Sequence, residues 1–493
     1  MKSLALTPFL ALLINFCLAG GTFSPPPTVD SVCNNIGQSL SATSSVFYPG
    51  DLEYEAGILH WATSSTERSK CVVEPTTPTD VGKILVILGK SRIPFAIKSG
   101  GHATNKGFSS TTGVHISLSR FTGITYNATT ETVDVGPGLV WDDVYAALEP
   151  FGVSALGARV TGIGIGGFLL GGGYSWQSNE YGLAIDNIVA FELVKPDGNV
   201  AIITKASEPK LFFGLKGGMN NFGIVTKFTL KTFPQSQVWG GFVANLEASV
   251  PDLEAAIVNF QATVTDPKAS IVMAWNYLPS LQQIAVSQLL FYNAPIPPPG
   301  MFDAFLAPSM FESNISANRS FISLVQSSPT DASGGVRTFF NGFPVINLTA
   351  GLSHVLVNET KFWGPALANK SALTISYSME MFQPSIYSHN PDPTAYPPSR
   401  QLFSQPFEMA YAWNSSDFDA DMHAAAVASA AHIQQAAIAE GQTQVVNAPI
   451  YPNYGLAGTP IEAIYGQNVP ALRALKARVD PHNVMGLTGG WKF

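Results

Sequence analysis

Between Thr77 and Lys231 the spacing of apolar residues changes several times. In TPTDVGKILVILGKS they recur at helical intervals behind a Thr-Pro start, which predicts a capped helix. IPFAIKSGG and GVHISLSRF read as short strands, the first running into a glycine turn. GITYNATTETVDVGPG and FELVKPDGNVAIIT read as hairpins, the second turning on Asp197-Gly198, and VWDDVYAALEPFG as a helix stopped by Pro150 and Gly152. This irregular order predicts an α+β unit, not a series of parallel βαβ repeats.

Beyond Phe233 the period settles at two. ALTISYSMEMFQP and QPFEMAYAW alternate, predicting a large antiparallel sheet with one face buried. Glu380, Gln383, Glu408 and Tyr411 fall on these strands as candidates for a substrate wall. NAPIPPPGMF reads as a loop, and the alanine-rich run from Asp417 to Glu440 as a helix stopped by Gly441. VVNAPIYPNYGL and PALRALKARVDPHNVMG read as a strand and a helix returning to the first unit. The predicted organisation is a leader at 1–19, a first unit at 20–235, a substrate unit at 236–444 and a return at 445–493.

The leader follows from SLALTPFLALLINFCLAG behind Lys2, an apolar run ending in small residues as in a secretory signal peptide and too short to span a bilayer. Composition agrees with secretion. Apolar residues make up 46% of the 493 and charged residues only 12%, against about 25% charged in an ordinary soluble protein, so solubility needs another source. Asn-x-Ser/Thr sequons at Asn127, Asn314, Asn318, Asn347, Asn358, Asn369 and Asn414 offer glycans as that source. Once Cys17 leaves with the leader, Cys33 and Cys71 are expected to pair as a disulfide in an oxidising compartment. The net charge of −8 and the absence of any Lys/Arg-rich run argue against nucleic acid.

Three glycine stretches lie in the first unit: SGGH at Ser99–His102, GIGIGGFLLGGGYS at Gly162–Ser175 and KGGMNNFGIVT at Lys216–Thr226. Bare main chain with free N–H groups suits anions, above all phosphates, so three such loops suit a long cofactor with a pyrophosphate in its middle. A nicotinamide fingerprint at Gly162, with Asp186 as its acidic partner, lacks the strand-to-helix setting that motif needs.

PFAIKSGGHATNKGFSS, GIGIGGFLLGGGYSWQSNEYGLAIDNIVAFELVKPDG and GLKGGMNNFGIVTKFTL resemble the PCMH-type FAD-binding domain of the vanillyl-alcohol oxidase superfamily. The tail YPNYG…DPHNVM resembles the C-terminal return of the berberine-bridge-enzyme-like branch. The resemblance covers about Pro75–Phe233 and Val445 to the end. It implies that fold, with FAD bonded covalently to His102; neutral imidazole is a nucleophile at ordinary pH. A solvent-facing loop histidine is the plain alternative, and it suits His60 or His389 better. Many members carry a second, cysteinyl tether, but the matching position is Val160, so a single attachment is implied. Ser99, Gly100, Gly101, Asn105, Gly107, Gly162, Gly166 and Gly167 are implied around the phosphates and ring, and Tyr181, Gly182, Asp186, Asn187 and Val225 at the cofactor's other end. Met219 stands where relatives often have glycine.

A hydride-accepting flavin needs a base for the donor's hydroxyl or amine proton. The resemblance points to Tyr451, with Asn453 beside it and Tyr454 able to exchange roles; packing against the cofactor is the alternative for Tyr451. Reoxidation by dioxygen, releasing hydrogen peroxide, depends on access past Ile163, so oxidase is the first reading and dehydrogenase the second. The expected protein is a secreted monomer acting on a small alcohol, amine or natural-product intermediate. A carbohydrate oxidase and a non-catalytic flavoprotein are its rivals.

Overall fold

The computed structural model describes residues 27–307, 311–328, 330 and 334–493; the leader read at 1–19 lies outside them. Two sheets carry the glycine loops. The first, in the order Ser45–Phe47, Cys71–Glu74, Val114–Ser117, Phe95–Lys98, has Val114–Ser117 parallel to both its neighbours. The second is antiparallel, in the order Ile124–Asn127, Thr132–Val135, Ile224–Lys231, Ile188–Val194, Val200–Thr204. Both predicted hairpins are present in it. The helix Pro78–Ser91 is capped by Thr77, whose side chain accepts from the Asp80 N–H.

The third sheet is antiparallel throughout and has eight strands among the described residues. Ala269–Leu278, Ala372–Met381 and Gln405–Trp413 are adjacent, and Arg337–Val345 closes that edge. Alternation sorts its side chains. Tyr377, Met379, Met381, Phe407, Met409 and Tyr411 enter a core shared with helices Ala350–Ala368 and Asp419–Ala439, while Glu380 and Glu408 fall on the opposite face. The α+β architecture with a large antiparallel sheet is therefore as the apolar spacing predicts.

The tail departs from that reading. VVNAPIYPNYGL forms no strand: a short helical turn spans Thr443–Asn447, and irregular chain follows to Pro460. Pro449 and Pro452 lack the N–H groups a strand ladder requires, and Tyr454 N–H closes a turn on Tyr451 O. The predicted helix is present at Val469–Val479, and Thr488 bridges to Phe95. Cys33 and Cys71 are joined, tying helix Val29–Ser39 to strand Cys71–Glu74.

Candidate active site

A cavity of about 460 Å³ separates the glycine loops from the face of the large sheet opposite its core. His102 lies on its wall, with its ring stacked on Trp61 at 4.3 Å and parallel to Phe340 at 6.1 Å. Burial pushes the imidazole down to about 4, which keeps it neutral near pH 7. Its Nε2 is shielded and has no hydrogen-bond partner. His60, by contrast, is no solvent-facing histidine: it is 3% exposed and bonded to Ile58 O at 2.8 Å and Ser109 Oγ at 2.9 Å.

The glycine loops press against each other. A Cβ on Gly100 would stand 2.5 Å from Gly164 Cα, so neither loop tolerates a side chain there. Ser99 Oγ accepts from Gly166 N–H at 3.0 Å and donates to Pro137 O, locking the pair. Gly100, Gly101, Gly166 and Gly167 present main chain to the cavity, and Gly167 has open space where a side chain would begin. Asn105 donates to Gly455 O at 2.7 Å and accepts from Ala457 N–H at 2.9 Å, joining this wall to the returning tail. Ile163 and Val225 also line the cavity, as does Met219, which holds the left-handed φ of 54° that favours glycine.

Six predicted contacts are not in the wall. Asp186 is paired with Arg400 at 2.6 Å and accepts from Leu183 N–H at 3.0 Å; Asn187 donates to Tyr181 O and Leu183 O. Tyr181 stacks on Phe233 at 4.0 Å, and Gly182 takes a turn at φ 83°. These four residues organise a neighbouring buried polar cluster. Gly107 and Gly162 serve turns, their N–H groups held by Ser110 Oγ and Asp142 Oδ2.

The opposite wall is polar at one point. Arg159, 9% exposed, donates through Nη2 to Glu380 Oε2 at 2.7 Å and to Tyr454 Oη at 3.1 Å. Tyr454 in turn donates to Glu380 Oε1 at 2.7 Å. Tyr451 Oη accepts from Gly173 N–H at 3.1 Å and from Asn453 Nδ2 at 2.9 Å. Burial outweighs those hydrogen bonds and pushes the Tyr451 phenol up to about 12; burial, then Glu380, lifts Tyr454 well above the usual range. Burial, with Glu380 as a second cause, pushes Glu408 up to about 8. Gln383 and Tyr411 are absent from this wall: Gln383 N–H bonds Asn179 Oδ1, and Tyr411 Oη meets Tyr377 Oη in the core. Arg159, Trp61 and Phe340 were missed in the sequence reading, although Arg159 directly precedes Val160.

Residues 69–204 match the FAD binding domain family. The chain is 36% identical over 304 residues to the FAD-dependent monooxygenase drtC of Aspergillus calidoustus, covering 60% of this chain and 58% of that protein. BBE-like 1 of Physcomitrella patens shares the fold with a TM-score of 0.73 at 19% identity, covering 93% of this chain and 97% of its own. Residues 69–204 therefore form an FAD binding domain, and the chain as a whole shares the fold of that solved protein. A chitooligosaccharide oxidase shares the fold of this flavoprotein equally well, with a TM-score of 0.73 at 18% identity over 92% of this chain and 97% of that one. The FAD-dependent monooxygenase sdcF of Emericella nidulans is 28% identical over 92% of this chain and 97% of its own length. In several other curated relatives the match spans only between 38% and 58% of their length.

The cofactor of this flavoprotein is FAD, and the cavity fits it. A shielded imidazole nitrogen lacks a partner, and bare glycine main chain leaves room beside it. His102 and the Gly100, Gly101, Gly166 and Gly167 main chain would hold the ring and phosphates, with Val225 and Met219 further along the wall. Among the described residues no group of His, Cys, Asp and Glu could hold a metal, and no helix is long and apolar enough to cross a membrane.

Proposed function

We infer that this flavoprotein is a secreted oxidoreductase that removes hydride from an alcohol or amine C–H of a small molecule or natural-product intermediate. His102 alone would hold its FAD covalently, and dioxygen would be the acceptor that gives hydrogen peroxide. The observation that carries this reading is the neutral His102 imidazole, its Nε2 without a hydrogen-bond partner, on the wall of a cavity whose far side holds the buried Arg159, Glu380 and Tyr454 cluster. FAD supplies the hydride acceptor. The chain supplies the rest. Trp61 fixes the plane of the His102 ring, and Val160 offers no second attachment.

For the substrate proton, Tyr454 is the better placed of the two tyrosines. As its Oη takes the substrate's proton, the phenol's own proton passes to Glu380 Oε1 at 2.7 Å, so no phenolate has to form, and Arg159 Nη2 at 3.1 Å holds the phenol in place. Tyr451 is held by the Gly173 and Asn453 donors and orders the aromatic floor with Tyr174 at 4.9 Å. Val272, Leu289 and Ala410 make the sheet side of the cavity apolar, which favours a compact substrate over an oligosaccharide. The disulfide and the exposure of all seven sequon asparagines support secretion.

Acid precipitation tests the attachment. Yellow, fluorescent wild-type pellet and colourless His102→Ala pellet are expected; colour lost from both refutes the covalent bond. Flavin bleaching and peroxide release, screened over small aromatic alcohols, amines and sugars, decide the donor class. Bleaching by sugars alone would replace this reading with the carbohydrate oxidase.

A further inference from the structure

Three polar atoms on the cavity wall are shielded from solvent and have no hydrogen-bond partner: His102 Nε2, Arg159 Nη1 and Glu408 Oε2. Buried polar groups are almost always paired, so each marks a place where a bound molecule completes the bonding. His102 belongs to the cofactor side. The other two lie with Glu380 and Tyr454 on the far wall, and the proton-transfer scheme above leaves both atoms unused.

We propose that Arg159 Nη1 and Glu408 Oε2 form the substrate's polar anchor, and that the anchored group is a neutral oxygen, a carbonyl, phenol or alcohol, on a largely apolar body. This rests on the flavin reading and narrows its donor class from alcohols and amines to oxygen compounds.

The local charges select the neutral form. Arg159 is already balanced by Glu380, whose Oε2 takes its Nη2 donor at 2.7 Å. The groups facing Glu408 are Glu380, Arg159 and Tyr454, and burial beside Glu380 keeps Glu408 protonated near neutral pH. The wall is then net neutral. A carboxylate ligand would find no spare positive charge, while an ammonium would face the guanidinium and force a second carboxylate to ionise beside the first; either ion is costly away from water. A neutral oxygen accepts from Nη1 and exchanges a hydrogen bond with the Glu408 carboxyl, which both donates and accepts when protonated. Val272, Leu289 and Ala410 line the same cavity and would take the apolar remainder.

The test uses the yellow holoprotein and three probes with one ring system: acetylnaphthalene, naphthoate and naphthyltrimethylammonium. Binding is read at neutral pH from the perturbation of the flavin visible spectrum. Acetylnaphthalene is expected to bind at least about tenfold more tightly than either ion. Glu408→Leu should weaken it about tenfold, the scale of one lost hydrogen bond, while Glu408→Gln, which keeps a donor and an acceptor, should stay within about threefold of wild type. An unshifted flavin spectrum in the unliganded variants shows that the fold and cofactor survive. Preference for either ion, failure of all three probes, or equal affinity in Glu408→Leu overturns the anchor while leaving the flavin reading intact. Colourless wild-type protein would overturn that reading itself.

Discussion

Arg159 and Glu380 are a buried ion pair, and such pairs respond asymmetrically to mutation. Arg159→Met leaves Glu380 uncompensated and should cost about 3–5 kcal/mol. The double variant Arg159→Met/Glu380→Met should recover most of that, since an apolar pair of similar volume removes the stranded charge. Thermal melts of wild type, Arg159→Met, Glu380→Met and the double variant measure the coupling. Glu408 makes a separate prediction. Its folded pKa, about 8, lies above its ordinary value of 4.5, so across that window the native chain keeps a proton the unfolded chain has lost. Wild-type stability should fall as pH rises through the window, and Glu408→Gln should flatten that slope in melts at pH 5 and pH 8. At this scale the sequence was legible where backbone is bare: His102, singled out directly after Gly100-Gly101, does lie on the cavity wall. Arg159 was not, because its role depends on Glu380, 221 residues away, and no local pattern reports that meeting.

At the scale of elements, spacing read well wherever one face is buried. Alternation in Ala372–Met381 and Gln405–Trp413, and the capped start at Thr77, gave strands and a helix close to those observed. It failed in the tail, where apolar residues between prolines pack as turns. The resemblance placed Tyr181, Gly182, Asp186 and Asn187 at the cofactor's other end; in the structure none of the four lines the cavity, and Arg400, from a distant segment, pairs with Asp186. The contact between glycine loops yields an element-scale prediction. In Gly164→Ala the new Cβ would lie 2.4 Å from Gly100 N, so the loops must separate. That should cost about 1–3 kcal/mol and sharply reduce the flavin retained per chain, measured by absorbance after desalting.

For the whole molecule, the disulfide closes a loop with a separation of 38 residues. Cys33→Ser/Cys71→Ser should lose on the order of 4 kcal/mol, seen as a lower melting temperature that reductant reproduces in wild type. All seven sequon asparagines are exposed, so endoglycosidase treatment of material expressed in a secreting host should lower its mass; an unchanged mass would remove the proposed glycan coat. Composition raised the expectation of such a coat, and the apolar share fits the large cores. Nothing local could announce the cavity, which exists only where the returning tail, the glycine loops and the large sheet converge.

Glu380 and Glu408 also guard the alignment of the sheet that carries them. Sliding strand Gln405–Trp413 by a single residue against Ala372–Met381 would turn Glu408 into the methionine and tyrosine layer and swing Met409 toward the flavin. A mispaired hairpin would thus strand a carboxyl in oil, so the acidic groups that equip the pocket double as proofreaders of strand pairing. Replacing both with leucine should loosen that check and let slipped forms accumulate during folding.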